Sequence, residues 1–227
     1  MKPLTKRLQA ALDLLPFCRC VADVGCDHGL ATRALLEQGK CEHVIATDIS
    51  APSLAKAEAR LRRAGLAEKA SFYCCDGLAC AARADAALIL GMGGRTLIEI
   101  LRAQPDVTAH LRCVVLQPAS HAPLIYRALP ALGLRVDRET IVRENGRFFP
   151  LIALQPGAQP VLDGVKALIG PDNCARRDEV TMSYVAWLRT VYEKTLRVPG
   201  RTPQGQSNQQ KAAECLKALI RFQEGNP

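Results

Sequence analysis

Between residues 20 and 131 short apolar runs alternate with amphipathic stretches, and no other feature narrows the fold as much. The runs at 20–24, 43–47, 70–74, 85–90 and 112–116 are nearly continuous in Val, Ile, Leu, Ala and Cys. A parallel strand has that composition when helices cover both of its faces. The stretches at 29–38, 51–64, 94–103 and 121–131 are the expected covering helices. Such alternation predicts an α/β domain built on a doubly wound sheet. The rhythm breaks at 134–157, "LRVDRETIVRENGRFFPLIALQPG", where two extended runs have no helix between them. Asn145-Gly146 separates them, a strong hairpin signal because both residues tolerate positive φ.

A Rossmann-like parallel sheet that ends in an antiparallel hairpin resembles class I S-adenosylmethionine-dependent methyltransferases; ordinary dinucleotide-binding folds lack the last reversal. Beyond Gly157 the alternation stops. Val180, Tyr184, Trp187 and Val191 fall on one helical stripe, and Ala212, Cys215, Leu216, Leu219 and Ile220 on another. The Pro- and Gly-rich segment 198–209 between them reads as a turn or loop. The expected organisation is therefore a catalytic domain at 1–157 and a C-terminal α-helical hairpin, coiled-coil-like, at 158–227.

Composition limits the function classes. No apolar run approaches the ~20 residues needed to span a bilayer, and no signal-peptide core follows the basic N-terminus. The ten cysteines include no Cys-x-x-Cys pair, and several stand in apolar runs. They read as buried thiols in a reducing, cytoplasmic protein without a metal. A net charge of +8 favours a polyanionic partner.

The chemistry concentrates where strands should end. "VADVGCDHGLATRALL" (21–36) runs from strand to glycine turn to helix, and ligands of open α/β sheets bind outside the carboxyl ends of strands. Gly25 lets a ligand approach the backbone, and the helix after Gly29 offers free N–H groups to a carboxylate. Asp23 and Asp27 supply acceptors for an ammonium group, with His28 beside them. An amino-acid moiety suits that set better than pyrophosphate, which carboxylates repel. Asp48 closes the second strand, where an acidic residue accepts from ribose hydroxyls or merely caps the next helix. Asp76-Gly77 follows the third strand, in place to accept from an adenine amino group. Gly91-Met92-Gly93-Gly94 follows the fourth and predicts a pocket floor with little bulk. Gln117-Pro118 ends the fifth; it resembles the edge of amino methyltransferases, where a side-chain amide and a backbone carbonyl hold the target nitrogen, or is a plain strand-ending proline.

Together "VADVGCDHGLATRALL", "ATDIS", "CDGL", "GMGG", "LQP" and "VRENGRFF" resemble, in order, the TrmK family of tRNA (adenine-22-N1)-methyltransferases. The segment 4–12 is similar to that family's leading helix. Phe148-Phe149-Pro150 departs from it, since a polar aromatic is more usual there. The resemblance implies S-adenosyl-L-methionine as cofactor, held by Asp23, Gly25, Asp27, His28, Gly29, Asp48, Ile49, Asp76, Gly77, Gly91, Met92 and Gly93. It implies tRNA as partner, a monomer, and catalytic roles for Asp27, His28 and Gln117. A methyltransferase of small molecules or proteins and a non-catalytic RNA-binding module are the competing readings. An NAD enzyme would need Gly-x-Gly-x-x-Gly, which this turn lacks.

Overall fold

The structure is a computed structural model that describes residues 4–198 and 202–225. It divides into two compact units, Met1–Val161 and Leu162–Pro227.

In the first unit the chain order is α1 (Lys6–Leu14), β1 (Cys18–Val24), α2 (Leu30–Glu37), β2 (Cys41–Asp48), α3 (Ala51–Arg63) and β3 (Ala70–Cys74). It continues with β4 (Ala86–Gly93), α4 (Gly94–Ala103), α5 (Pro105–His110), β5 (Cys113–Ser120), α6 (Ala122–Leu132), β6 (Leu134–Glu144) and β7 (Arg147–Pro156). The sheet has the order β3-β2-β1-β4-β5-β7-β6. β1 to β5 are mutually parallel, and β7 is antiparallel to both β5 and β6. The expected strands, their covering helices and the terminal hairpin are all present. Val21, Ala22, Leu88, Ile89, Val114 and Val115 are fully buried, as strands covered on both faces require.

Three features lay outside the sequence signal. α5 has six residues, too few for periodicity to register, and starts on Pro105 with Asp106 in its first turn. α1, expected only from the resemblance, is capped by the Thr5 hydroxyl, which accepts from the Leu8 N–H at 3.2 Å. β4 does not stop at residue 90: it runs through the glycines to Gly93, with register shifts at Met92. Glycine permits that irregularity because it tolerates the backbone angles of a bulge.

The second unit holds α7 (Lys166–Ile169), α8 (Pro171–Arg176), α9 (Glu179–Arg197) and α10 (Pro203–Gln223). α9 and α10 are antiparallel. Gln209 Nε2 donates to the Val198 carbonyl at one end, and Arg189 donates to Gln223 at the other. Two expectations need correction. Residues 203–209 are helix and not loop: Thr202 caps the helix and Pro203 supplies a pre-set φ at its first position. Of the rest of the expected loop, 199–201 lies outside the described residues. The buried stripe of α9 is Thr181, Tyr184, Val185 and Leu188, so Trp187 and Val191 face solvent.

Among the described residues no helix is long and apolar enough to cross a membrane. Nor is there a group of three His, Cys, Asp or Glu placed to hold a metal ion.

Candidate active site at the carboxyl edge of the sheet

The strand order reverses at β1, whose neighbours β2 and β4 lead to opposite edges, and the predicted turns collect outside this point. The turn after β1 is built on left-handed residues, with φ of 71° at Gly25, 47° at Asp27 and 69° at Gly29. The Gly25 and Cys26 N–H groups both donate to the Thr47 carbonyl, at 2.8 and 2.9 Å. Arg60 Nε donates to the His28 carbonyl at 2.7 Å and pins the turn to α3. At Gly29 a Cβ would stand 2.9 Å from the Ala57 Cβ, so the absent side chain lets α2 start against α3.

Asp48 organises this edge. One carboxylate oxygen accepts the Asp27 N–H at 3.0 Å and the other accepts the Ser50 N–H at 2.8 Å. The cap of α3 is Ser50, whose hydroxyl accepts from the Ser53 N–H. Asp48 is therefore not the helix cap. Each of its oxygens keeps lone-pair capacity for a further donor. Ile49 next to it is 76% exposed, an apolar side chain on the rim.

Asp23 and Asp27 are environmentally opposite. Asp23 is buried beneath the turn and accepts the Thr32 hydroxyl at 2.5 Å. Burial pushes its carboxyl up to about 6, against the lowering effect of the Thr32 hydrogen bonds, and the nearby Asp48 charge raises it further. Asp27 is exposed, and its Oδ1 lies 3.3 Å from His28 Nδ1 without the alignment of a hydrogen bond. Only Asp27, of these two, presents its carboxylate to the open side.

The third and fourth strand ends complete the crevice. Asp76 is exposed, and Gly77 has φ of 54°. The Thr47 hydroxyl donates to the Gly77 carbonyl at 3.1 Å and ties this turn to β2. Gly91 has φ of 76° and open space where a side chain would stand. The Met92 methyl occupies the position of a Gly25 Cβ, so the thioether bridges the ends of β1 and β4. The expectation of a bare floor holds for Gly91 but not for Gly94, where the His121 carbonyl would be 2.5 Å from a Cβ. That glycine serves the packing of α4 against the β5–α6 turn. Around Gly93 a Cβ would meet the Ser120 hydroxyl at 3.4 Å.

Gln117 does not present its amide to the crevice as expected. It is fully buried; Nε2 donates to the Pro118 carbonyl at 2.7 Å, and Oε1 accepts from Arg7 Nη1 at 3.4 Å. Its direct partner is α1. Sequence reasoning singled out neither Thr47, Arg60 nor Arg7, because each acts on a residue remote in the chain and carries no local motif.

A Rossmann-like sheet ending in an antiparallel hairpin, with a glycine turn after β1 and an acid after β2, defines the class I S-adenosylmethionine-dependent methyltransferase fold. Residues 4–152 match the methyltransferase domain family, and the chain belongs to it. It is similar to the tRNA (adenine(22)-N(1))-methyltransferase of Bacillus subtilis (strain 168), with 29% identity over 175 residues, 74% of each chain. The crystal structure of the B. subtilis m1A22 tRNA methyltransferase TrmK aligns with a TM-score of 0.83 at 24% identity, over 98% of this chain and 99% of that one. M. capricolum TrmK in complex with S-adenosyl-homocysteine aligns with a TM-score of 0.82 at 18% identity, over 96% and 99%.

Proposed function

We propose that this protein transfers the methyl group of S-adenosyl-L-methionine to N1 of adenosine 22 in tRNA. The observation that carries the reading is the Asp48 carboxylate, which fastens the glycine turn and keeps acceptor capacity at the ribose position of the crevice. The reaction named for the B. subtilis relative supplies the substrate.

The residues fit the cofactor. Backbone N–H groups after Gly29 would hold its carboxylate, Asp27 its ammonium, Asp48 its ribose hydroxyls, and Asp76 with Ile49 its adenine. Asp23 supports the turn from below. The cofactor supplies an electrophilic methyl on sulfur. Adenine N1 carries a neutral lone pair, so attack on that methyl needs no prior deprotonation. The protein's contribution is alignment of the nucleophile and stabilisation of the positive charge that the base acquires. Asp27, exposed at the turn, is assigned that electrostatic role, with His28 lining its flank. N1 is engaged in a normal base pair, so the nucleotide must be unpaired or flipped to react. The reading places the protein in the cytoplasm as a monomer.

The test is to incubate the protein with labelled S-adenosylmethionine and bulk tRNA and then map the modified nucleoside. Label in 1-methyladenosine at position 22 is the expected outcome. RNase-insensitive label, or label at another position, would sink the assignment.

A further inference from the structure

Arg7 lies in the first turn of α1, and three contacts bring it to the carboxyl end of β5. The Lys6 N–H donates to Glu144 Oε1 at 2.7 Å and fixes the start of α1 beside the β6–β7 turn. Arg7 Nη1 donates to Gln117 Oε1, and the guanidinium sits over the Phe149 ring, 5.0 Å from its centroid. Gln117 is itself oriented by its bond to the Pro118 carbonyl, so its oxygen and not its amine faces Arg7. Gln117 pairs in register with Leu90, immediately before the open Gly91. The guanidinium is thus held at the carboxyl end of β5, beside the strand end that carries Gly91. Among the described residues no carboxylate pairs with it. A guanidinium has five donors, and one long bond leaves most of its fork unused.

We propose that Arg7 is the phosphate clamp for the target nucleotide: Phe149 and Gln117 hold its guanidinium flat, and the free edge takes a backbone phosphate of the flipped nucleotide. This inference rests on the RNA-methyltransferase reading above. A phosphate suits the position better than a base edge. Methylation at N1 leaves the base cationic, and an unneutralised guanidinium beside it would oppose the reaction. With its charge met by phosphate, Arg7 positions the nucleotide without that penalty, and planar bidentate contact with phosphate is what the guanidinium does best.

The experiment compares wild type, Arg7→Ala and Arg7→Lys as full chains. tRNA binding is measured against salt concentration, S-adenosylmethionine binding by calorimetry, and methylation by initial rates. Arg7→Ala should weaken tRNA affinity by about ten- to a hundredfold, the range of one charge-assisted hydrogen-bonded contact. The slope of log K against log salt should become shallower by about one unit. Cofactor affinity should not change. Arg7→Lys should keep the slope but lose methylation efficiency, since a point charge cannot reproduce the stacked fork. An unchanged slope in Arg7→Ala overturns the clamp and leaves Arg7 as a brace for Gln117. If Arg7→Ala fails to fold, Arg7→Gln carries the same comparison. Binding is read independently of chemistry, so a wild type that binds tRNA but methylates elsewhere sinks the functional reading, while the salt slope of Arg7→Ala still supports or overturns the clamp. A wild type that does not bind tRNA overturns both.

Discussion

At the scale of single residues, the crevice depends on carboxylates that differ in environment more than in type. Asp48 holds the Asp27 N–H and the Ser50 N–H at once, so its loss removes a turn anchor as well as the proposed ribose acceptor. Asp48→Ala should weaken S-adenosylmethionine binding by tenfold or more, each hydrogen bond to a charged group contributing about 1.5–3 kcal/mol. A calorimetric dissociation constant equal to wild type in a folded variant would refute this. Asp23 predicts a pH effect with a definite sign. Its folded-state carboxyl titrates at about 6 and its unfolded-state one near 4, so the native state binds the proton more tightly. Its contribution is fully present below about pH 4 and is lost as pH rises through about 6. Asp23→Asn, which keeps an acceptor for Thr32, removes that titration. Relative to wild type it should gain stability between pH 4 and pH 8, by on the order of 3 kcal/mol. Denaturant midpoints that differ by the same amount at both pH values would show that Asp23 does not titrate this way. Asp27→Asn is the chemical counterpart: asparagine tolerates the φ of 47°, so the turn survives while the charge is lost. Turnover should fall by roughly a hundredfold, the effect of removing one preorganised electrostatic group. A near-wild-type rate would exclude Asp27 from charge stabilisation.

At the scale of elements, two glycines control how pieces meet. Gly29 has φ of 69° and no room for a Cβ against Ala57. Gly29→Ala therefore incurs both the left-handed penalty, about 1–2 kcal/mol, and overpacking between α2 and α3, about 1–3 kcal/mol. A drop in thermal midpoint of several degrees is expected, and an unchanged midpoint would mean that α2 shifts freely. The β6–β7 turn isolates the backbone effect. Asn145 and Gly146 have φ of 49° and 74°, and the Gly146 Cβ position is open. Gly146→Ala should cost only the left-handed term, about 1–2 kcal/mol, and a chemical-denaturation midpoint measures it. The hairpin also sets α1, through Glu144 and Phe149. An element that looks like a sheet terminus from the sequence thus fixes the start of α1.

At the scale of the whole molecule, the positive charge is divided between two units, and part of it is already engaged within the second. Arg176 pairs with Asp178, Arg177 lies over the Phe222 ring at 4.2 Å, and Arg189 is bonded to Gln223. Lys194, Arg197, Lys211 and Lys217 are exposed. If they contact phosphates, neutralising the four together should reduce the salt slope of tRNA binding by up to about four units and leave cofactor affinity unchanged. Equal slopes would limit the RNA surface to the first unit.

The alternation of apolar runs was sufficient to specify the doubly wound sheet, and Asn145-Gly146 its final reversal, because a strand's covering and a turn's backbone angles are local demands on residue type. The places of Asp48, Asp76 and the Gly25 turn at the strand ends were legible for the same reason: strand ends in this fold have fixed places. Tertiary structure decided what depends on partners distant in the chain. It buried Asp23 under Thr32 while leaving Asp27 exposed, though the two stand four residues apart in one motif. It buried Gln117 and gave its side-chain oxygen to Arg7, 110 positions earlier, and assigned Gly94 to packing against the His121 carbonyl. It also rotated the buried face of α9 away from Trp187, because helical periodicity defines a stripe but only the neighbour in contact selects its centre.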